Sequence, residues 1–466
     1  MREKEYRSAS AARGGLLFMK GVPGVAYNDR VAIRDHRGRR RNGQVIRSSD
    51  ALVMIQVLEG TDDLDLDNTW VRFLEQPFEV SLAPDVLGRI FNGVGEPRDD
   101  RPPIISKLRR DVNGAPVNPA ARTYPREFIQ TGVSAIDGLN SLVRGQKLPI
   151  FSGAGLPHNR LAAQIVRQAR LPGKESEFAI VFAAMGVPYS DARFFREDFE
   201  SSGVLGNVVM FMNLADDPPI ERLILPRTAL TVAEYLAFDR EKHVLVVLTD
   251  MTHYAEALRE VATAKGDVPA RKSYPGYLYS DLASIYERAG RIRNRPGSIT
   301  MVPVLSMPSD DITHPIPDLT GYITEGQIVL SRELHNGGVY PPINVPPSLS
   351  RLMKDGIGKD FTREDHPRVS NQLYAAYAHA LEVRNLASII GPEDLSASDR
   401  RYLEFADSFE GRFVGQREDE DRSIEETLNI AWDLFSLLPA ASLTRLSADD
   451  VAQHFGTDGS ETKESA

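Results

Sequence analysis

The sequence predicts a mostly parallel α/β core that is preceded by a small β-barrel and followed by an α-helical domain. Three changes of pattern along the chain lead to this prediction. Short β-rich runs fill residues 14–76, strand-like and helix-like segments alternate from about 80 to 345, and helical periodicity takes over beyond about 365. Because 466 residues are too many for one ordinary hydrophobic core, we expect two or three domains.

The predicted barrel domain covers residues 1–76. Gly, Asp and Asn turns separate its strand-like runs, which are residues 15–19, 30–34, 44–47, 51–58 and 70–73. A basic cluster at residues 36–41 lies at a hairpin-like turn. We interpret it as a solvated turn, and a contact with nucleic acid or lipid is the alternative.

The predicted core covers residues 77–360, and the predicted helical domain covers residues 361–456. Strands that alternate with helices are typical of a parallel sheet covered on its faces. The expected core strands are residues 178–184, 207–212, 243–248 and 298–305, and the expected core helices are 219–239, kinked at Pro226, and 277–291. The expected C-terminal helices are residues 369–390, 397–413 and 424–438. The polar residues 457–466 are expected to be disordered.

Composition excludes several classes of protein and site. A net charge of −10 argues against a general nucleic-acid binder, which needs clustered Lys and Arg. The absence of cysteine excludes disulfides, thiolate metal sites and cysteine nucleophiles. No run of 18 apolar residues occurs and the N-terminus is charged, so we expect a cytoplasmic protein that reaches a membrane only through partners. The nine histidines show no metal-ligand spacing, and we interpret Asp310 to His314 as a structural loop, so no metal site is expected.

Residues 153–160 have the outline of a phosphate-binding loop without its binding residues. Such a loop reads G-x-x-x-x-G-K-[ST], and it follows a strand and opens a helix. Gly153 and Gly155 are present, but His158, Asn159 and Arg160 stand where the second glycine, the lysine and the hydroxyl are needed. Without the ammonium and the hydroxyl, tight binding of Mg-ATP is not expected. We therefore interpret this segment as a vestigial loop, and Arg160 could give it a residual anion site.

Two further positions bear on hydrolysis. Asp250 follows a strand in the Walker-B arrangement, so that the vestigial loop and Asp250 occur in the order of a RecA-like nucleotide core. Val187 stands where hydrolytic relatives of this architecture place the glutamate that polarises water. Valine can neither accept a proton nor orient water, so the loop and this position both indicate a chain that does not hydrolyse ATP itself.

A proline-rich segment, residues 341–350, precedes Arg351. We expect a rigid loop here, and a simple linker is the alternative. A guanidinium on such a loop also suits the stabilisation of a transferring phosphoryl group, including one that is bound to a neighbouring chain.

These residues resemble a known family. Residues 341–350 match the signature P-[SAP]-[LIV]-[DNH]-x-x-x-S-x-S of rotary ATPase α/β-type subunits. Together with residues 151–159, 273–288 and 307–327 they resemble the B subunits of the V-type (A/V-type) ATP synthases and ATPases, over roughly residues 5–455. The resemblance is extended by residues 87–93 and 370–375.

The resemblance implies a non-catalytic, regulatory subunit with a barrel, a RecA-like core and a helical bundle. Three copies would alternate with three catalytic A subunits, contact central and peripheral stalk subunits, and couple ATP synthesis or hydrolysis to proton or sodium transport. ATP or ADP with Mg²⁺ would be held mainly by the A subunit, with Ser350 and Arg351 at the A/B interface and Arg351 as an arginine finger acting in trans. Two residues depart from the family pattern: Arg160 replaces a usually acidic residue and Pro346 a usual leucine.

Three other functions remain as alternatives. A self-sufficient hexameric ATPase would need an intact lysine and hydroxyl, which Asn159 and Arg160 replace. An RNA-translocating hexamer would need an intact loop and a basic, aromatic-rich surface. A structural scaffold without a role in the active site differs from the regulatory subunit only through Arg351.

Overall fold

The computed structural model describes residues 5–7, 9–49 and 51–455, and the predicted disordered tail at 457–466 lies outside them. The described residues belong to two compact units. The first takes its residues from 1–122, 177–306 and 312–323, and the second from 123–176, 307–311 and 324–466. Each unit is therefore assembled from separated stretches of the chain.

The strands and helices have the following bounds. The strands are β1 (Glu5–Tyr6), β2 (Ala9–Arg13), β3 (Leu16–Met19), β4 (Arg30–Arg34), β5 (Arg40–Ser48), β6 (Val53–Val57), β7 (Trp70–Phe73), β8 (Glu79–Ser81), β9 (Ile90–Phe91), β10 (Arg109–Asp111), β11 (Arg122–Thr123), β12 (Phe128–Ile129), β13 (Leu142–Val143), β14 (Ile150–Gly153), β15 (Phe178–Val187), β16 (Val208–Leu214), β17 (His243–Thr249), β18 (Gly290–Ile292), β19 (Ser298–Met307), β20 (Gly326–Leu330) and β21 (Ile343–Ser350). The α-helices are α1 (Ser134–Asp137), α2 (His158–Gln168), α3 (Tyr189–Ser201), α4 (Pro219–Phe238), α5 (Met251–Lys265), α6 (Leu278–Tyr286), α7 (Pro315–Ile323), α8 (Arg332–Asn336), α9 (His366–Ile390), α10 (Ala397–Ser408), α11 (Ile424–Phe435) and α12 (Ala448–Phe455).

The N-terminal strands of the first unit form one antiparallel sheet in the order β1-β7-β4-β5-β6-β3-β2. Alternating residues such as Val31 and Ile33 on β4 point into its core, as expected for strands with one buried face. The basic cluster contains the turn between β4 and β5, where the Asp35 carboxylate accepts the N–H groups of Arg37 and Arg39. Arg41 is not solvated as the sequence suggested: it is buried and donates to the carbonyls of Gly60 and Asp62.

The parallel sheet of the first unit has the order β9-β16-β15-β17-β19. Every residue of β15 and β17 is buried, since parallel strands are covered on both faces and read as continuous apolar runs. Pro226 lies inside α4. The predicted helix 277–291 is wrong at its end, because α6 stops at Tyr286 and residues 290–292 form β18 antiparallel to β19.

The early end of α6 places Arg288 in the interior of the first unit. The Arg288 side chain is fully buried and forms a bidentate ion pair with Glu234 on α4, with N–O distances of 2.6 and 2.8 Å. Its guanidinium also donates to the Val112 carbonyl at 2.9 Å and to the Thr231 hydroxyl at 2.8 Å. A continued helix would forfeit these bonds, so the buried charge decides where the helix ends.

In the second unit, β14 pairs in parallel with β20, and β20 pairs antiparallel with β21. The helices α9 to α12 follow, and within the described residues no strand occurs after β21. The predicted helix 397–413 changes to a π-helix at Phe409–Val414, where Phe409 stacks on both Phe405 and Phe413. No helix within 5–7, 9–49 and 51–455 has the length and apolar character of a membrane span.

Candidate functional site

The vestigial loop joins β14 to α2 in the second unit. Gly155 has a left-handed backbone with φ +79°, as its position in a tight turn requires. The N–H groups of Leu156 and His158 donate to the carbonyls of Gly153 and Leu156, at 3.2 and 2.9 Å. An open phosphate-binding loop directs such N–H groups at its ligand. Here two of them are used within the loop itself.

The residues that replace the phosphate-binding set lie at the start of α2. His158 Nδ1 is 3.1 Å from the Ser152 hydroxyl, which ties the helix start back to β14. Asn159 follows on the first turn, and Arg160 is exposed there. The Arg160 guanidinium donates to Glu418 at 2.8 Å, in a pair whose side chains are 61% and 43% exposed. Within the described residues, the anionic group that is hydrogen-bonded to Arg160 is thus the Glu418 carboxylate of the same chain.

Two residues at the loop are not identified by the sequence pattern. The Asp310 carboxylate lies against Gly153, so closely that a Cβ added to this glycine would overlap it. Arg332, at the start of α8, forms a bidentate pair with Asp310 at 2.7 and 2.9 Å and donates to the Ala154 carbonyl at 2.9 Å. The sequence indicates only a structural loop at Asp310. The signal that could have found it is its position three residues after the end of a strand, β19.

In the first unit, the Asp250 carboxylate accepts hydrogen bonds from nearby residues of the chain. It caps α5, with the Thr252 N–H donating to its Oδ1 at 2.6 Å, and it accepts the N–H of Ser306 at 3.2 Å together with the Ser306 hydroxyl. Asp250 is 3% exposed. Its role in the described residues is that of a helix cap tied to β19.

Val187 ends β15 and is buried. The preceding Gly186 N–H donates to Asn213 Oδ1 at 3.2 Å, and Arg222 Nε donates to the same oxygen at 2.8 Å. Arg222 and Asn213 therefore hold the bulge of β15 at Gly186 without a carboxylate. No proton acceptor stands at position 187, as the sequence indicated.

Arg351 follows β21 directly and is exposed. Its backbone N–H donates to the Glu325 carbonyl at 2.9 Å, and its Nη1 donates to the Thr324 carbonyl at 3.1 Å. Glu325 is itself fixed by an ion pair of 2.9 Å with Lys147, a residue that is 3% exposed. The backbone of Arg351 is thus anchored on a rigid support, while its side chain reaches the surface.

Ser350 is buried and has a structural part. Its hydroxyl donates to the Ser141 carbonyl at 2.9 Å and accepts from the Gln146 amide at 2.9 Å. Both bonds hold Ser350 within the chain, directly before Arg351.

The proline-rich segment is a strand and not the loop that the sequence suggested. β21 is the last strand of the order β14-β20-β21, and its ladder is interrupted between Asn344 opposite Val329 and Leu349 opposite Gln327. Pro346 and Pro347 lie in this interruption, where they need no ladder N–H. The Ser348 hydroxyl replaces the missing bonds by accepting the Val329 N–H at 2.9 Å and donating to the Asn344 carbonyl at 2.6 Å.

Among the described residues, no group of three or more His, Asp or Glu side chains is arranged to hold a metal ion.

Three family models match the chain. They are the nucleotide-binding domain of the ATP synthase alpha/beta family at residues 132–350, the beta-barrel domain of that family at residues 10–75, and the C-terminal domain of V and A type ATP synthase at residues 355–455.

The chain is also similar to individual proteins over nearly all of its residues. A protein named V-type ATP synthase beta chain, from Nitrosococcus oceani, is 76% identical over 464 residues, which cover 100% of this chain and 97% of the relative. A protein named as the B subunit of an A-type ATP synthase, from Aeropyrum pernix, is 60% identical over 451 residues and 97% of each chain. Among solved structures, the ATP synthase subunit NeqB from Nanoarcheaum equitans has a TM-score of 0.72 and 39% identity, over 91% of this chain and 98% of that one.

Proposed function

Because the chain belongs to the ATP synthase alpha/beta family, we propose that it is the non-catalytic B subunit of a V/A-type rotary ATP synthase. In this role it completes the ATP site of an adjacent catalytic A subunit. It thereby takes part in the coupling of ATP synthesis or hydrolysis to proton or sodium transport.

The vestigial loop is the observation that carries the non-catalytic part of the proposal. Asn159 and Arg160 supply neither the ammonium nor the hydroxyl that Mg-ATP requires, and two loop N–H groups are bonded within the loop. Val187 cannot activate water. Binding of ATP or ADP with Mg²⁺ therefore falls mainly to the A subunit.

Arg351 supports the part of the proposal that concerns the neighbouring site. Its backbone N–H donates to the Glu325 carbonyl. Within the described residues, its exposed guanidinium makes one hydrogen bond, to the Thr324 carbonyl. Such a side chain can exchange a carbonyl for a phosphoryl oxygen at low cost in ordering entropy. We assign it as an arginine finger that acts in trans on ATP bound to the A subunit.

The proposed assembly is a ring of three A and three B subunits in contact with a central and a peripheral stalk. The chain would lie at the cytoplasmic face of the membrane and reach the bilayer only through the ion-translocating sector, without binding nucleic acid. We also propose the domain limits 1–76, 77–360 and 361–456. The matches of the beta-barrel model at 10–75 and of the C-terminal model at 355–455 support the first and last domains, and the nucleotide-binding model covers residues 132–350 of the core.

The purified chain alone should show no ATPase activity above background and at best about millimolar affinity for Mg-ATP, because its loop lacks the lysine and hydroxyl. Adding the A subunit should produce turnover. A coupled-enzyme ATPase assay of each protein alone and of the two together tests this. Turnover by this chain alone, at a rate comparable with that of the mixture and retained through further purification, would refute the assignment.

A further inference from the structure

The Asp310–Arg332 pair occupies one end of the vestigial loop. Arg332 connects the Asp310 carboxylate, which lies against Gly153, to the carbonyl of Ala154. The first two residues of the loop are thereby covered by an anion and a cation of the same chain. A phosphate group approaching this end would meet a carboxylate first, and the arginine that could bind it is already paired.

The backbone before Asp310 is shaped to deliver this carboxylate. Ser309 and Asp310 both have left-handed backbones, with φ values of 57° and 56°. Residues with a Cβ adopt this conformation only at an energetic cost, so two in succession persist because surrounding contacts hold them. The turn directs Asp310 to Gly153 in the second unit, and hydrogen bonds from Arg332 keep the pKa of the Asp310 carboxyl below its ordinary value. Asp310 is therefore an anion at neutral pH.

The pair is exposed, with 44% of the Arg332 side chain and 43% of the Asp310 side chain accessible to solvent. An exposed ion pair contributes little net stability, so the loop does not depend on it for its fold. The contact can be removed by substitution without leaving a buried charge unpaired.

We propose that Asp310 is an internal substitute for a phosphate group: it masks an oxyanion site at the vestigial loop, and Arg332 is the binding residue of that site. The ligand class is a phosphate or diphosphate group. The proposal concerns only residues of this chain, and it does not depend on the ring or on the role of Arg351.

Calorimetric titration of the full chain with inorganic pyrophosphate at low ionic strength tests the proposal. Asp310→Asn preserves the size of the side chain and removes the competing charge, so it should bind pyrophosphate at least about tenfold tighter than the wild type. Asp310→Asn combined with Arg332→Gln should lose that gain. A wild type that binds as tightly as Asp310→Asn, or a double variant that keeps the gain, would overturn the proposal.

Glu418→Gln is the matched control. It removes the same charge from a comparably exposed ion pair at the same loop, but it frees Arg160 and leaves Arg332 paired. Its affinity for pyrophosphate should stay within about twofold of the wild type. A gain in Glu418→Gln without one in Asp310→Asn would overturn the proposal and make Arg160 the anion-binding residue. Thermal unfolding of each variant, with and without pyrophosphate, verifies folding and gives a second measure of binding.

Discussion

Replacing Arg351 with alanine should leave the ring of A and B subunits assembled and reduce its ATP turnover by at least about a hundredfold. Arginine fingers contribute about 10³–10⁵ in rate, because the guanidinium stabilises charge that grows on the equatorial oxygens of the transferring phosphoryl group. At about 1.36 kcal/mol per decade this amounts to roughly 4–7 kcal/mol. A surface ion pair contributes only about 0–1 kcal/mol, so the size of the effect separates a catalytic role from a scaffold.

The Arg351→Ala substitution should affect turnover and nucleotide affinity to different extents. Nucleotide affinity should change much less than turnover, since the interaction strengthens mainly in the transition state. Arg351→Lys should restore little of the rate, because one ammonium cannot reproduce the planar fork of the guanidinium. Steady-state kinetics and nucleotide titration on the same preparation measure both quantities.

A matched control for this experiment is Arg417→Ala. Arg417 is a surface arginine of the same unit, with its side chain 80% exposed and paired with Asp419. It should alter turnover by less than about twofold, and native mass spectrometry should show intact rings for both variants. If an intact Arg351→Ala ring retains turnover within a few-fold of the wild type, the scaffold interpretation is correct.

Replacing Arg288 with methionine should lower the free energy of unfolding of the first unit by about 3–5 kcal/mol, because it leaves the Glu234 carboxylate without its partner and removes the guanidinium's bond to the Val112 carbonyl. Methionine fills most of the volume, so the loss reports the broken polar network and not a cavity. Urea unfolding followed by circular dichroism measures the effect.

The control for this prediction is Arg193→Met. Arg193 also pairs with a glutamate, Glu197, but their side chains are 66% and 59% exposed. The expected loss is no more than about 0.5 kcal/mol. Equal shifts of the unfolding midpoint in the two variants would contradict the importance assigned to the buried pair.

The elements that the sequence predicts well are those whose signal is local. The continuous apolar runs of β15 and β17 indicate buried parallel strands, and the helical period of α9 lies within a single segment. The motif at residues 153–160 is also identified. Its residues are contiguous, so the positions that differ from the phosphate-binding pattern can be read from the sequence itself.

What the sequence does not predict depends on distant partners. The end of α6 is fixed by an ion pair between Arg288 and Glu234, which are 54 residues apart. Asp310 and Arg332 are 22 residues apart, and their contact depends on the left-handed turn at Ser309 and Asp310 that follows β19. The prediction of a loop at β21 rests on the prolines, which oppose strand formation, and it is wrong. The Ser348 hydroxyl supplies hydrogen bonds where the ladder is interrupted, and the sequence pattern does not show this contact.

The interrupted ladder of β21 also has a consequence for the chain before it assembles with its partners. The free edge of a sheet offers backbone N–H and C=O groups onto which a strand of another molecule can be added, which is a common route to aggregation. Pro346 and Pro347 offer no N–H groups, and the irregular register breaks the periodicity that an added strand would have to match. The edge beside Arg351 is thus unsuited to strand addition, and the contact proposed there with the A subunit would be made by side chains.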